Sequence, residues 1–187
     1  MIDGPPPAHT GGFGEPTCQV CHLGSELNGP GSTLEVIGLG GRFIPGRSCA
    51  LTIRLSSFDM YAAGFQAAIR YAEGDRRGQS AGELRSVDDR TRVVAGDAGV
   101  HYASHTRAGT TVTGDEAEWS FMWRAPPEAV RLSLDVAANS GNGDNSPLDD
   151  LVYTQSLELD PAPPAEFAST ASCREPSAPA APAAPGP

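Results

Sequence analysis

The chain has 187 residues, with 13 basic and 23 acidic side chains and a formal net charge of −10. Its length suits one domain of ordinary size with extensions. The acidic balance argues against nucleic acid or an anionic membrane as a partner, because both attract dense positive charge, and no apolar run of about 18 residues is present to span a bilayer.

Residues 1–32 predict an arm that has no core of its own. They contain 7 Gly and 5 Pro and few apolar side chains. Such a segment cannot bury enough surface to fold alone, so we expect it to wrap around something else. The chain begins with neither the basic nor the apolar region of a signal peptide, and we expect a leader peptide to be absent from this numbering.

Residues 33–160 predict a β-sandwich domain, because short alternating runs are separated by Gly, Asp, Asn and Pro. Trp119, Phe121 and Trp123 fall on one face at period two. Eight strands at this spacing are typical of an all-β, antiparallel, immunoglobulin-like sandwich. The predicted strands are Thr33–Ile37, Cys49–Leu55, Gly64–Ala72, Thr91–Ala95, Val100–Thr106, Glu118–Arg124, Val130–Val136 and Leu151–Leu159.

Residues 161–187 predict an extended tail outside the sandwich. They contain 8 Pro and 9 Ala in 27 positions. This composition is typical of a polyproline-like linker and not of a packed core.

One motif carries chemistry, the CxxCH sequence of Cys18, Cys21 and His22. Two thiols at this spacing add to the vinyl groups of a haem, and the adjacent imidazole becomes an axial ligand of the iron. The motif predicts one covalent haem c, bonded to Cys18 and Cys21 and ligated by His22. Three alternatives remain: a zinc site, which lacks a second ligand pair at short spacing, a thioredoxin-type redox pair, which lacks a strand–helix context, and a plain Cys18–Cys21 disulfide.

Haem c attachment places the chain outside the cytoplasm, so we expect a periplasmic or extracellular protein. Cys49 and Cys173 then face oxidising conditions and are predicted to pair. In the chain-entropy model this disulfide would stabilise the fold by ~4–5 kcal/mol. The alternative is two unpaired thiols.

Alternation along the strands does not select the second iron ligand. His101 and His105 share one face of the same predicted strand, and methionines are further candidates. Four aromatic side chains are candidates to pack against the haem, although alternating aromatics more often form a sandwich core. They are Phe65, Tyr102, Trp119 and Trp123.

Several spaced segments resemble the small secreted bacterial proteins that combine a reelin-type (choice-of-anchor) β-sandwich with an N-terminal CxxCH. The CxxCH alone is generic, but its combination with the later segments is more specific. The segments are Gly4-Pro5-Pro6, Thr10-Gly11, Gly14-Glu15, Thr17-Cys18-x-x-Cys21-His22, Gly64-Phe65-Gln66, Tyr102-x-x-His105-Thr106, Trp119-x-Phe121-x-Trp123-x-Ala125-Pro126, Ala137-Ala138-Asn139, Asn142-Gly143 and Tyr153-Thr154.

The resemblance implies a reelin-like sandwich and selects His105, which directly precedes Thr106, as the second axial ligand beside His22. His/Met ligation and an open iron are the alternatives. The acidic loop at 142–150 is longer than the resemblance leads us to expect. It has oxygen ligands in proportions that suit Ca²⁺ but not in EF-hand order, and a solvated turn is the simpler interpretation.

These features predict a monohaem c-type cytochrome that transfers single electrons and is not an enzyme. Its expected partners are redox proteins or subunits of a larger electron-transfer complex, with no nucleic acid and no direct membrane span. The alternative function is a secreted adhesive or polymer-binding reelin-like module in which the CxxCH is structural.

Overall fold

The computed structural model describes residues 2–163, and within them ten strands account for nearly all regular structure. Two short 3-10 turns lie in the N-terminal arm and two lie between strands. The strands are β1 (Ser32–Ile37), β2 (Arg42–Phe43), β3 (Ser48–Ser57), β4 (Ala62–Tyr71), β5 (Glu83–Ser86), β6 (Thr91–Ala95), β7 (His101–His105), β8 (Glu116–Arg124), β9 (Leu132–Gly141) and β10 (Leu151–Pro161).

The strands form two sheets, which confirms the all-β sandwich. One sheet has the order β1-β3-β8-β5 and the other the order β2-β10-β9-β4-β7-β6. Neighbouring strands pair antiparallel, except that β2 lies parallel to the end of β10. All eight predicted strands are present. The prediction missed β2 and β5, because runs of two and four residues are too short to show an alternation.

Aromatic side chains of β8 fill the space between the sheets. Trp119, Phe121 and Trp123 are each at most 1% exposed, as their period-two spacing predicts. The indole N–H of Trp119 donates to the carbonyl of Gly109 at 2.8 Å, so this buried polar group is satisfied. Phe65 of the facing sheet stacks on Trp119 with ring centroids 4.8 Å apart.

The central strands of the six-stranded sheet are buried on both faces. In β4 every residue from Ala63 to Tyr71 is buried, although the sequence shows a one-sided alternation. The N-terminal arm lies across the outer face and covers it. Gln66 of β4 receives a 2.7 Å hydrogen bond from the backbone N–H of His9 and donates to the carbonyl of Pro6 at 2.9 Å.

A buried charge cluster joins the arm to the sheet. The side chain of Arg70 in β4 is 2% exposed, and its guanidinium contacts the Glu15 carboxylate at 2.5 Å. The same guanidinium donates to the hydroxyl of Thr10 at 2.9 Å and lies 3.4 Å from the carboxylate of Asp135. Tyr102 of β7 donates its hydroxyl to Glu15 at 2.6 Å. The arm residues thus satisfy polar groups of two strands, β4 and β7.

Burial and hydrogen bonding have opposite effects on the pKa of Glu15. Desolvation alone would raise the pKa of this carboxyl group, but hydrogen bonds from Thr10 and Tyr102 and the charge of Arg70 outweigh it and lower the pKa below 4.5. The ionised carboxylate is therefore the form that holds the arm in place. Phe13 adds to the same contact, because its ring lies 4.5 Å from the guanidinium carbon of Arg70.

We expect Arg70→Met to destabilise the fold by about 3–5 kcal/mol, because it leaves two buried carboxylates without their cation. Urea unfolding followed by tryptophan fluorescence measures the loss. Arg85→Met is the control, since Arg85 and its partner Glu83 are exposed and exposed pairs contribute little. Equal stability of the two variants would contradict this role of Arg70.

The lowered pKa of Glu15 makes stability depend on pH. The unfolded chain binds a proton at this carboxyl near pH 4.5, whereas the folded chain binds it only at lower pH, so the stabilisation is present above pH 4.5 and is lost as pH falls through the folded pKa. Glu15→Gln removes this contribution. We expect the variant to be less stable at neutral pH and to lose stability less steeply in acid. Urea midpoints measured from pH 7 to pH 3 check both slopes.

Candidate functional site

The N-terminal arm and one end of the six-stranded sheet enclose a cleft of about 260 Å³. Apolar and polar residues both line it, and the apolar ones contribute most of the accessible surface. Its lining comprises Ile2, Pro5, Pro6, His9, Cys18, Cys21, His22, Ala62, Ala63, Gly64, Phe65, His105, Thr110, Asn139, Gly141, Gly143, Asn145, Ser146 and Asp150. The sequence motif and His105, far apart in the chain, therefore meet at one site.

The CxxCH residues form a tight turn. The hydroxyl of Thr17 accepts the backbone N–H of Gln19 and caps a 3-10 turn over Cys18–Val20. The N–H groups of Cys21 and His22 both donate to the carbonyl of Cys18, at 3.1 and 2.9 Å. This backbone ring places the two thiols and the imidazole along one edge of the cleft.

The two thiols have different surroundings. Cys18 is buried and packs with Ala137 and Val152 on the outer face of the sheet, whereas Cys21 is exposed. Burial raises the pKa of the Cys18 thiol to about 12, so it remains neutral at physiological pH. No disulfide joins the two sulfurs in this structure.

His22 is oriented by a carboxylate from the other end of the chain. Its Nδ1 lies 2.6 Å from Oδ2 of Asp150, whose side chain is 5% exposed. The other carboxylate oxygen of Asp150 accepts the N–H of Asn142 at 3.1 Å. Because a carboxylate oxygen accepts, His22 donates from Nδ1, and this contact leaves Nε2 for other partners.

A short parallel β-bridge keeps His22 and Asp150 next to each other. Leu23 donates its N–H to the carbonyl of Pro147 at 3.0 Å and accepts the N–H of Asp149 at 2.7 Å. The acidic loop at 142–150 is thereby joined to the arm. Within this loop, Asn142 accepts the N–H of Asp144, and Asp144 accepts the N–H of Ser146. These local bonds are those of a tight polar turn.

His105 lies at the opposite wall of the cleft and is 5% exposed. The backbone N–H of Phe65 donates to its Nδ1 at 3.0 Å. Gly64 makes room for the ring, because a Cβ there would lie 2.5 Å from Cε1 of His105. His101 is exposed and does not line the cleft, so the structure separates two histidines that alternation along the strand does not.

Only one of the four aromatic side chains predicted to pack at the site lines the cleft, and it is Phe65. Trp119 and Trp123 lie between the two sheets, as expected for alternating core aromatics. Tyr102 points to the outer face and bonds Glu15. The sequence analysis did not single out Asp150, which also lines the cleft.

The prediction of a covalent haem c is wrong. Within residues 2–163, no group of three or more His, Cys, Asp or Glu side chains is arranged to hold a metal ion. The ligand roles of these histidines and the attachment roles of Cys18 and Cys21 depended on the haem. The same finding gives no support to a Ca²⁺ site in the loop at 142–150.

The predicted disulfide lies partly outside the described residues. Cys49 is disulfide-bonded and fully buried at the start of β3. Its predicted partner, Cys173, is not among residues 2–163, so the Cys49–Cys173 pairing stays a prediction. In the described part of the chain, no helix has the length and hydropathy of a membrane span.

Comparison with known proteins finds similarity in solved structures alone. No protein-family model matches the sequence, and no curated protein matches it. The chain is similar to the Reelin-N domain of F-spondin, at 18% identity and a TM-score of 0.49 over 78% of this chain and 96% of that one. It is also similar to the human F-spondin reeler domain, at 17% identity and a TM-score of 0.46 over 76% and 98% of the two chains.

A third similar structure is a cohesin module from a Clostridium perfringens family 33 glycoside hydrolase. Its identity is 13% and its TM-score 0.44, over 71% of this chain and 97% of that one. These similarities concern the sandwich fold.

We expect the chain to carry no group bonded to Cys18 or Cys21. In a host that attaches haem to CxxCH sequences, its intact mass should be that of the polypeptide, and a variant with Cys18→Ala and Cys21→Ala gives the matched reference. Extra mass on the peptide that contains the CxxCH sequence, absent from the variant, would show that a group is bonded to these cysteines.

Proposed function

We propose that the protein is a binding module outside the cytoplasm that holds a segment of a neutral polysaccharide in the cleft. The observation that carries the proposal is the composition of the cleft. Its lining combines apolar residues, among them Pro5, Ala63 and Phe65, with polar side chains that include His22, Asn139 and Asp150. Binding sites for small molecules and polymer segments have this combination of apolar surface and a few oriented polar groups.

The charges at the cleft favour an uncharged ligand. No Arg is among the residues that line it, and the carboxylate of Asp150 is paired with His22. An anionic ligand would find no guanidinium there, and the chain as a whole has a net charge of −10. The hydroxyl groups of a sugar can exchange hydrogen bonds with Asn139, Thr110 and Nε2 of His22.

The volume and rim of the cleft suit a polymer. About 260 Å³ holds one or two sugar rings and lies near the lower end of small-molecule sites. Tyr61 is 70% exposed and stands beside the cleft, because its N–H donates to Gly141 at 2.9 Å and a Cβ on Gly143 would touch its side chain. A flat exposed aromatic at this position can stack on the apolar face of the next sugar ring.

The chemistry of the site supports binding and not catalysis. Within the described residues, Asp150 is the hydrogen-bonded side-chain partner of His22, and no hydroxyl or thiol completes a nucleophile–base pair with it. The disulfide at Cys49 supports a location outside the cytoplasm, where such bonds persist. The prediction of redox partner proteins stays untested, and because it depended on a haem, the proposal replaces them with a polymer.

Affinity electrophoresis in gels that contain soluble β-glucan, xylan or galactomannan tests the proposal. We expect retardation by at least one of these neutral polymers and none by a polyuronate. Tyr61→Ala should weaken the retardation by roughly tenfold, since it removes one stacking contact. Phe58→Ala is the matched control, because Phe58 is 79% exposed but lines a separate hollow with Ser32 and Glu116. The proposal fails if no neutral polymer retards the protein or if both variants lose binding equally.

A further inference from the structure

We propose that Cys18 and Cys21 form a thiol–disulfide exchange site, which is oxidised by small-molecule disulfides through attack of Cys21 and closure by Cys18. This inference is independent of the polysaccharide proposal. It concerns the covalent chemistry of the arm and not the ligand of the cleft.

The turn that carries the two cysteines has the right backbone spacing for a disulfide. The N–H of Cys21 donates to the carbonyl of Cys18 at 3.1 Å, and a turn closed in this way brings the first and fourth Cα atoms within about 7 Å. Disulfides need Cα separations of about 4.4–6.8 Å. The charge of Cys21 also contributes to raising the pKa of Cys18, as two sulfurs on one turn would.

The burial of the two residues assigns their order of reaction. Cys21 is exposed and accessible to an oxidant. Cys18 is 8% exposed and packed against Ala137 and Val152, so an external disulfide cannot reach it, but a sulfur on its own turn can. Exposed attacking and buried resolving thiols are the arrangement that thiol–disulfide exchange uses.

The reaction balances with a disulfide R–S–S–R as the oxidant. The thiolate of Cys21 attacks one sulfur, forms a mixed disulfide and releases R–S⁻. The R–S⁻ released in this step then takes the proton of the Cys18 thiol, and the resulting thiolate attacks the sulfur of Cys21 and displaces the second R–S⁻, which leaves with the proton that Cys21 lost to the solvent. The two thiols lose two electrons, and the oxidant gains them.

Two other features of the protein favour oxidation of Cys18 and Cys21. Cys49 is already disulfide-bonded, so the protein encounters oxidising conditions in which two free thiols on one turn do not persist. Both cysteines also line the cleft. Oxidation would draw the exposed sulfur of Cys21 toward the buried one and reshape this edge of the cleft.

Incubation of the full chain with oxidised glutathione, followed by alkylation and peptide mapping, tests the inference. We expect the wild-type peptide to lose two hydrogen masses and to resist alkylation. Cys18→Ser should instead accumulate one glutathione on Cys21, because the resolving thiol is absent. Cys21→Ser should gain none, because Cys18 is buried. Tryptophan fluorescence verifies that each variant is folded.

Other outcomes would overturn the proposal. A wild-type chain that keeps both thiols alkylable, or that retains glutathione on Cys21, lacks the resolving step. A glutathione adduct on Cys18 in folded Cys21→Ser would contradict the assigned order. None of these results depends on whether the protein binds a polysaccharide.

Discussion

The contact between Arg70 and Glu15 determines how the N-terminal arm is ordered. The arm is rich in Gly and Pro and has no core, so its position depends on the sheet below it. A guanidinium that is 2% exposed could not remain in the outer face of the sheet without its carboxylate partners, because an unpaired buried charge is costly. The arm and the sheet therefore each need the other. The cleft lies between them and exists only when they are joined.

The sandwich was predictable from the sequence, since Trp119, Phe121 and Trp123 alternate with polar residues and occupy the core. The double burial of β4 was not. Arg70 follows Ile69 in the alternation, so the sequence predicts an exposed side chain. The side chain is buried because the arm, which is more than fifty residues away in the chain, covers that face of the sheet. The alternation of apolar and polar residues along a strand shows which face of the sheet packs on the core. It carries no information about a distant segment that covers the other face.

The site was predictable in part. The CxxCH spacing indicates that two thiols and an imidazole lie close together, and the turn at Cys18 realises this. The resemblance to reelin-type proteins singled out His105, which lines the same cleft. The prediction of a haem was wrong, because a motif of five residues does not specify which groups surround it in the folded chain. Asp150, which orients His22, is 128 residues away, and no local signal in an acidic loop connects the two.

The distance between His22 and Asp150 has a consequence for biosynthesis. The arm is made first, but the carboxylate that secures it is made 128 residues later. At about 5–20 residues per second, translation takes roughly 6–26 seconds to cover that interval. During this time the nascent arm has no completed docking surface, and its cysteines are exposed alongside Cys49. The arm can therefore take its place over the sheet only after the last strands have been made.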